Sequence, residues 1–573
     1  MKNDKSRCWS LSIGTVLGIF IILYFIRCSV EYPFDADNFM GIRCGEALWK
    51  AGALIAKDPF SWVPDGLKPP WVNSQWLSYL ILYLVHGISG FTGILVLKTI
   101  VYGGGYLFLF LYARKKYGLL PALVALLAGF YVGRWFLSPR AMMYTAFFFP
   151  MLMFLMLKIQ EQSIRPYHYA ALPLMFLLWS CLHGGSFIGL FLMGLSLLIT
   201  MISEMWRSKT GRMAIFLRHL LLFSLCIAAT VLIAPYGLLM ISFMGDFLGR
   251  SIHHTIPELT SPLLRLRFNA HFFLITLAAV AGLIAVFIKT RKTPGALEIF
   301  FFIFWLAGSL KAVRNMQIYG IAAIPLFAFV IGSIPLFFDK ARLQEISRRL
   351  SGNLKRIYDL AKLMALVLII VSFTVKMIEI FPSEEAMARP YSYPGLRAFL
   401  NDNDLPRDIH CRELLGDYLI YSVYPRCRVS LDGRLGLAYG VQYMREFYDS
   451  MNDKSLLKAF LDRFGIDLIA CEPYYDYLGD DSGWLLIYRA EGISLYLRNS
   501  EKYSGIISRF NDDLLSYPDT TEVNFFLYKH CAEKKNYPSA KKYLLRLLVA
   551  SPDEKILWEH LQILNSKLGI PSK

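Results

Sequence analysis

Apolar stretches long enough to cross a hydrocarbon core recur from residue 11 to about residue 381, and short lysine- and arginine-rich segments separate them. A chain with this alternation cannot bury all its apolar residues in one soluble core. Lipid has to be the solvent for most of it. The bulk numbers agree: 55% of the residues are hydrophobic and 18% are charged, with a mean hydropathy of +0.43. A soluble protein of 573 residues needs more charge to cover its surface. Beyond residue 381 the charged residues return to soluble-domain frequency. The sequence therefore divides into a membrane part, 1–381, and a C-terminal part of roughly 190 residues, large enough for its own core.

The positions of the basic residues orient the membrane part. The clusters are Lys2 to Arg7, Arg114–Lys115–Lys116, Lys158 to Arg165, Arg207 to Arg218, Lys289 to Lys292 and Lys340 to Arg356. Each lies two crossings after the last. About eleven transmembrane helices place all six clusters in the cytoplasm and the C-terminal part outside. The first apolar run, Leu11 to Ile26, lacks a small-residue cleavage site and reads as an uncleaved helix. Trp76 to Gly90 is too short to span and is interrupted by His86 and Gly87. It reads as a re-entrant or interfacial helix of the first outer loop, 28–90. The net charge of +17 follows from the inside loops, so no nucleic acid is expected as a partner.

With the basic loops inside, most remaining ionisable residues of the membrane part collect at the outer ends of helices. They include Asp35, Asp37, Arg134, Arg140, His183, Glu258 and Arg314. Charges at one depth, on one side, point to a polar cavity at the outer leaflet. Guanidinium groups clamp phosphate oxygens, and a carboxylate beside an attacking hydroxyl acts as general base. Asp35 and Asp37 are the candidate bases. Each of these charges can equally seal a loop by pairing with a neighbour.

The order of short motifs carries a resemblance. Asp35-Ala-Asp37 is followed by Asp58-Pro-Phe-Ser-Trp62, Trp71-Val-Asn-Ser-Gln-Trp76, Trp179-Ser-Cys-Leu-His183-Gly-Gly, Pro235-Tyr-Gly237, Ile256-Pro-Glu258, Arg314-Asn315 and Asp432-Gly433-Arg434. This order resembles a broad group of bacterial membrane proteins similar to the GT-C superfamily of polyprenyl-phosphate-sugar-dependent glycosyltransferases. The resemblance implies sugar transfer from a polyprenyl-phosphate donor to a glycan, lipid or protein acceptor at the outer face of the inner membrane. Asp35 or Asp37 would be the base, and Arg314 or Arg140 the phosphate clamp. Arg134, His183 and Glu258 would line the donor, sugar or acceptor pocket. Where that group has two aromatics and a His, this chain has Phe39-Met40-Gly41, so a role for that His has no carrier here.

No cofactor is expected, because a monophosphate donor needs no metal. A divalent ion between Asp35 and Asp37 is the alternative. His253, His254 and Glu258 lack a third ligand at zinc spacing. Against the enzyme stands a non-enzymatic reading, a lipid-linked glycan transporter or an assembly subunit. A transporter needs polar groups at mid-span and internal repeats, whereas the sequence has few ionisable residues at mid-span and no convincing duplication.

Outside the membrane, residues 390–499 read as an α/β domain. Strands are expected at Arg407 to Cys411, Arg428 to Leu431, Ile466 to Cys471, Trp484 to Tyr488 and Ile493 to Leu497, and a helix at Leu456 to Phe464. Asp432 and Arg434 are expected at a strand-end turn, either as accessory site residues facing the membrane or as a salt-bridged turn. Cys411 and Cys427 pair as a disulfide or remain buried thiols. Residues 500–573 are helical, with Leu514 to Asp519 echoed in Leu548 to Asp553 at about the 34-residue tetratricopeptide period. Too short to stack alone, this tail is expected to pack on the α/β domain or to dock a protein partner.

Overall fold

The structure, a computed structural model, describes residues 12–31, 34–68, 71–162, 166–207, 212–241, 260–334, 352–380, 383, 387–472, 478 and 481–570. Helices of the first half are α1 (Ile13–Glu31), α2 (Asp37–Ala51), α3 (Trp76–Tyr117), α4 (Leu119–Gly133), α5 (Met142–Gln160), α6 (Pro166–Leu182), α7 (Ser186–Arg207) and α8 (Arg212–Ile227). There follow α9 (Ala270–Thr290), α10 (Ala296–Lys311), α11 (Met316–Ala322), α12 (Ile324–Gly332) and α13 (Gly352–Ile380). The C-terminal part holds α14 (Pro394–Asp402), α15 (Glu413–Ser422), α16 (Val441–Ser450), α17 (Lys454–Phe464), α18 (Ser504–Asn511), α19 (Thr521–Glu533), α20 (Tyr537–Ala550) and α21 (Lys555–Lys567).

The chain forms two compact units, one of residues 1–35 and 73–387, the other of residues 36–72 and 388–573. The first outer loop is therefore not wholly part of the membrane unit, as its sequence neighbourhood suggests. Its central stretch belongs with the C-terminal part.

All eleven expected apolar segments are helical in the membrane unit. Among the described residues, eight helices are long and apolar enough to cross a bilayer, or nine if the bent pair α11–α12 counts as one span. The segments α6 and α10 are helical but shorter, at 17 and 16 residues. The bend between α11 and α12 is 50°. Pro325 lies in the first turn of α12 and cannot donate to the preceding turn, which breaks the helix there. Helix α3 joins the Trp76 segment to the following span. The joint is Ser89–Gly90, where Gly90 adopts φ 59° and ψ −151°, a conformation open in practice only to glycine. Before that break the helix runs for about 20 Å, short of a bilayer's hydrocarbon thickness.

The second unit holds a five-stranded mixed sheet in the order β2-β1-β3-β5-β4. Its strands are β1 (Asp408–His410), β2 (Arg428–Val429), β3 (Leu468–Cys471), β4 (Trp484–Ala490) and β5 (Ile493–Arg498). β1 runs parallel to β2 and β3, whereas β5 is antiparallel to β3 and β4. The loop stretch 60–62 extends the β2 edge: Val429 N–H donates to Phe60 O at 3.1 Å and Trp62 N–H to Val429 O at 3.3 Å. Trp62 Nε1 donates to Ile409 O at 3.0 Å. These bonds cover an edge that would otherwise be open to pairing.

The helical tail packs on this domain. Asn403 Nδ2 donates to Ser516 O at 2.8 Å, Tyr517 donates to Ile487 O at 2.7 Å, and Phe399 stacks on Tyr517. Ala540 is fully buried where α19 and α20 meet. Cys411 and Cys427 are buried free thiols.

Candidate functional site

In the membrane unit, the candidate site gathers around the N-terminal turn of α5. Asp35 follows α1 and is largely buried, with 15% of its side chain exposed. Its Oδ2 lies 2.9 Å from Arg140 Nε in an ion pair. Ser138 Oγ donates to the same oxygen at 3.0 Å. The turn carrying Ser138 is held by Tyr102 of α3, whose hydroxyl donates to Ser138 O at 2.9 Å. Arg140 in turn starts α5, since its carbonyl accepts from Met143 N–H at 2.9 Å.

Lys98 of α3 is fully buried beside them. Its ammonium donates to Ser29 O, at the end of α1, at 2.6 Å, and is close enough to Asp35 for direct charge–charge attraction. A lysine inside an apolar helix is costly unless it is paired or functional. The sequence signalled it as the lone charge in Ile94-Leu-Val-Leu-Lys98, yet it is absent from the residues expected from motifs.

One turn further along α5, Thr145 reaches His183. Thr145 Oγ1 is 2.7 Å from His183 Nδ1, and Gly185 N–H donates to the same nitrogen at 3.0 Å. Trp179 Nε1 donates to Thr145 Oγ1 at 3.0 Å, which turns the threonine proton towards His183. With Nδ1 accepting, the network assigns the ring proton to Nε2. Burial, aided by the nearby Arg314 guanidinium, pushes the His183 pKa down to about 4. His183 is therefore a neutral hydrogen-bond donor at pH 7 rather than a base. A Cβ at Gly185 would lie 2.2 Å from Thr145 Oγ1 and 2.8 Å from His183 Nδ1. Only glycine fits that turn.

Arg314 lies partly buried in the turn Val313–Asn315 between α10 and α11. Asn315 Nδ2 holds the turn by donating to Gly308 O at 2.8 Å. Asp35, Arg140, Lys98, Thr145, His183 and Arg314 thus connect through α1, α3, α5 and the α6–α7 and α10–α11 turns. The group carries three cations against one carboxylate. This excess suits an anion such as a phosphate.

Arg134 is engaged differently. Its guanidinium stacks 3.7 Å over Tyr131 and 4.6 Å from Trp135, and it donates to Tyr131 O at 2.6 Å. Its charge acts on Tyr24 and His271. Glu258 lies outside the described residues. No group of three His, Cys, Asp or Glu side chains suited to a metal occurs among the described residues.

Asp37 belongs to the second unit, where it opens α2. Gly433 lies between two carboxylates: a Cβ there would meet Asp37 Oδ1 at 2.7 Å and Asp417 Oδ2 at 2.8 Å. Asp417 of α15 also accepts from Gly433 N–H at 2.8 Å. Asp432 and Arg434, expected at a strand-end turn either as accessory site residues or as a salt bridge, are buried and paired with each other. Arg434 Nη1 contacts Asp58 Oδ1 at 2.7 Å and its Nη2 contacts Asp432 Oδ2 at 2.6 Å. The guanidinium is sandwiched against Phe60 and Trp71. Lys68 pairs with Asp58 at 3.3 Å. Burial alone would raise the Asp58 carboxyl, but Arg434 and Lys68 outweigh it and hold the pKa below the usual range. The motifs Asp58-Pro-Phe-Ser-Trp62 and Asp432-Gly433-Arg434 thus close on each other as an ion-paired, aromatic-walled core.

No family model and no curated protein sequence matches the chain. Solved structures do. The Archaeoglobus fulgidus oligosaccharyltransferase tethered with an acceptor peptide aligns over 87% of this chain and 75% of its own, with a TM-score of 0.51 and 12% identity. Its apo form aligns over 82% and 70%, with a TM-score of 0.49 and 12% identity. ArnT from Cupriavidus metallidurans bound to undecaprenyl phosphate aligns over 85% and 98%, with a TM-score of 0.48 and 12% identity. The chain is a helical membrane protein of GT-C-like fold with a C-terminal α/β region.

Proposed function

We propose that the chain is a membrane glycosyltransferase that moves a sugar from a polyprenyl-phosphate donor to a hydroxyl or amide acceptor at the outer face of a bacterial inner membrane. The observation that carries the reading is the Asp35–Arg140 ion pair at the start of α5, set in a polar group where cations outnumber carboxylates. The GT-C-like fold supports it.

In this reading Asp35 is the base. It takes the proton of the acceptor as the acceptor oxygen or nitrogen bonds to the anomeric carbon and the carbon–oxygen bond to phosphate breaks. Arg140, Arg314 and Lys98 take up the charge on the departing phosphate. The donor phosphate competes with Asp35 for Arg140, so donor binding loosens the ion pair and releases the carboxylate for proton transfer. His183 donates through Nε2 to a sugar or acceptor oxygen. Asp37 is the second candidate base, and the helical tail a docking surface for a protein partner.

The test uses full-length protein in liposomes with radiolabelled polyprenyl-phosphate sugars. Asp35→Asn is expected to lose at least a hundredfold in transfer while remaining folded. Full activity in Asp35→Asn with loss in Asp37→Asn would move the base to Asp37. Full activity in both would remove the proposed base, and absence of transfer in the wild type would favour a scaffold or glycan transporter.

A further inference from the structure

The α1, α3 and α4 helices leave between them a cavity of about 610 Å³, away from the polar group at α5. Its walls run from Gly14 to Phe25 on α1, from Gly103 to Arg114 on α3, and from Leu119 to Phe130 on α4. Each stretch is eleven residue steps, about 16 Å at helical rise. One leaflet of a bilayer holds about 15 Å of hydrocarbon. The cavity is therefore one leaflet deep.

Its two ends differ chemically. The mouth is where α1 begins, α3 ends and α4 begins: a Cβ on Gly14 would meet Leu119 Cδ2 at 3.0 Å, and Arg114 O accepts from Gly118 N–H at 3.1 Å. The floor is aromatic, with Phe25 and Phe130 ring centroids 5.2 Å apart. Among the described lining side chains Arg114 alone is charged, and it sits at the mouth. Its neighbour Lys116 is engaged within the protein, by Glu161 at 2.9 Å and Glu298 at 3.0 Å. Arg114 is exposed, and among the described residues no carboxylate lies within ion-pair distance of it.

We propose that this groove is a binding site for one anionic phospholipid of the leaflet on the basic-loop side. An acyl chain fills the apolar slot and the phosphate headgroup meets Arg114. The volume falls in the ordinary range of ligand pockets, and a basic residue at headgroup level between helices is the chemistry that selects anionic lipids.

The test is native mass spectrometry of the full-length protein in mild detergent, titrated with phosphatidylglycerol or phosphatidylcholine of identical chains. One phosphatidylglycerol is expected to bind at least tenfold more tightly than phosphatidylcholine. Arg114→Gln is expected to shrink that preference to threefold or less. Leu107 lines the groove and is 51% exposed, so Leu107→Trp fills the slot without disturbing the core and should reduce retention of both lipids. Equal binding of the two lipids by the wild type, or unchanged retention in Leu107→Trp, overturns the proposal. Displacement of phosphatidylglycerol by a lower concentration of undecaprenyl phosphate overturns the assignment to a phospholipid. The readout is binding, so it is independent of whether transfer activity is found.

Discussion

Asp35 receives Arg140 and Ser138 on the same oxygen, Oδ2, and that geometry makes its charge separable from its shape. Asp35→Asn keeps the shape and the Ser138 hydrogen bond but removes the charge. Arg140→Lys keeps a charge but loses the guanidinium plane, and should lose roughly tenfold or more in transfer, mainly through weaker donor binding. Steady-state kinetics against donor concentration separate the two. A second residue-scale expectation concerns His410, buried between Phe447 and Phe460. Burial pushes its pKa down to about 3. The folded state then refuses a proton that the unfolded chain accepts near pH 6.5, so stability is full above that pH and falls as pH drops towards 3. At pH 5 the loss is about 2 kcal/mol. Thermal melts of full-length wild type and His410→Phe between pH 7 and 5 isolate it: the wild-type melting temperature should fall more steeply with pH than the variant's. Asp35, Arg140, His183 and Arg314 were legible in sequence because charge at a helix end stands out against apolar runs. Lys98 stood out as a lone charge but not as a neighbour of Asp35, and Thr145 gave no signal. Their role depends on which helices lie beside them.

Among the elements, the described residues of the stretch 52–72 have little regular structure of their own, apart from a short 3-10 turn at Asp65–Leu67, and borrow order from their neighbours. It is stitched to β2 by backbone bonds and clamped by Arg434 through Asp58, Phe60 and Trp71. Arg434→Met would leave Asp58 and Asp432 buried without their shared partner. The expected cost is about 3–5 kcal/mol, visible as faster limited proteolysis within 52–72. Asp58→Asn should shift the same cleavage less, since Lys68 and Arg434 remain to engage the amide oxygen. Gly185→Ala is expected to lower the melting temperature by forcing Thr145 away from His183, at about 1–3 kcal/mol. The five strands were readable to within a few residues because β-branched and aromatic runs alternate between turn residues. The ion-paired core was not, because its halves stand some 370 positions apart in the chain.

At the scale of the whole molecule, the helical tail is tied to the α/β domain through Asn403, Phe399 and Tyr517. Truncation after residue 503 would expose that face, and the shortened protein is expected to be recovered in lower yield and to aggregate on gel filtration. Reporter fusions address orientation: those after residues 116 and 292 should report the cytoplasm, and one after residue 440 the opposite compartment. The sequence by itself determined the solvent of each half, the spacing of the apolar helices, the α/β pattern and the residues with polar chemistry. These follow from transfer free energies and local periodicity, which act over a few residues. Only the tertiary structure decided that residues 36–72 leave the membrane unit for the C-terminal one, that Arg434 is buried between Asp58 and Asp432, and that Lys98 belongs beside Asp35. Those outcomes rest on pairing distant charges as they leave water, and no local pattern in a chain records which partner a buried charge will find.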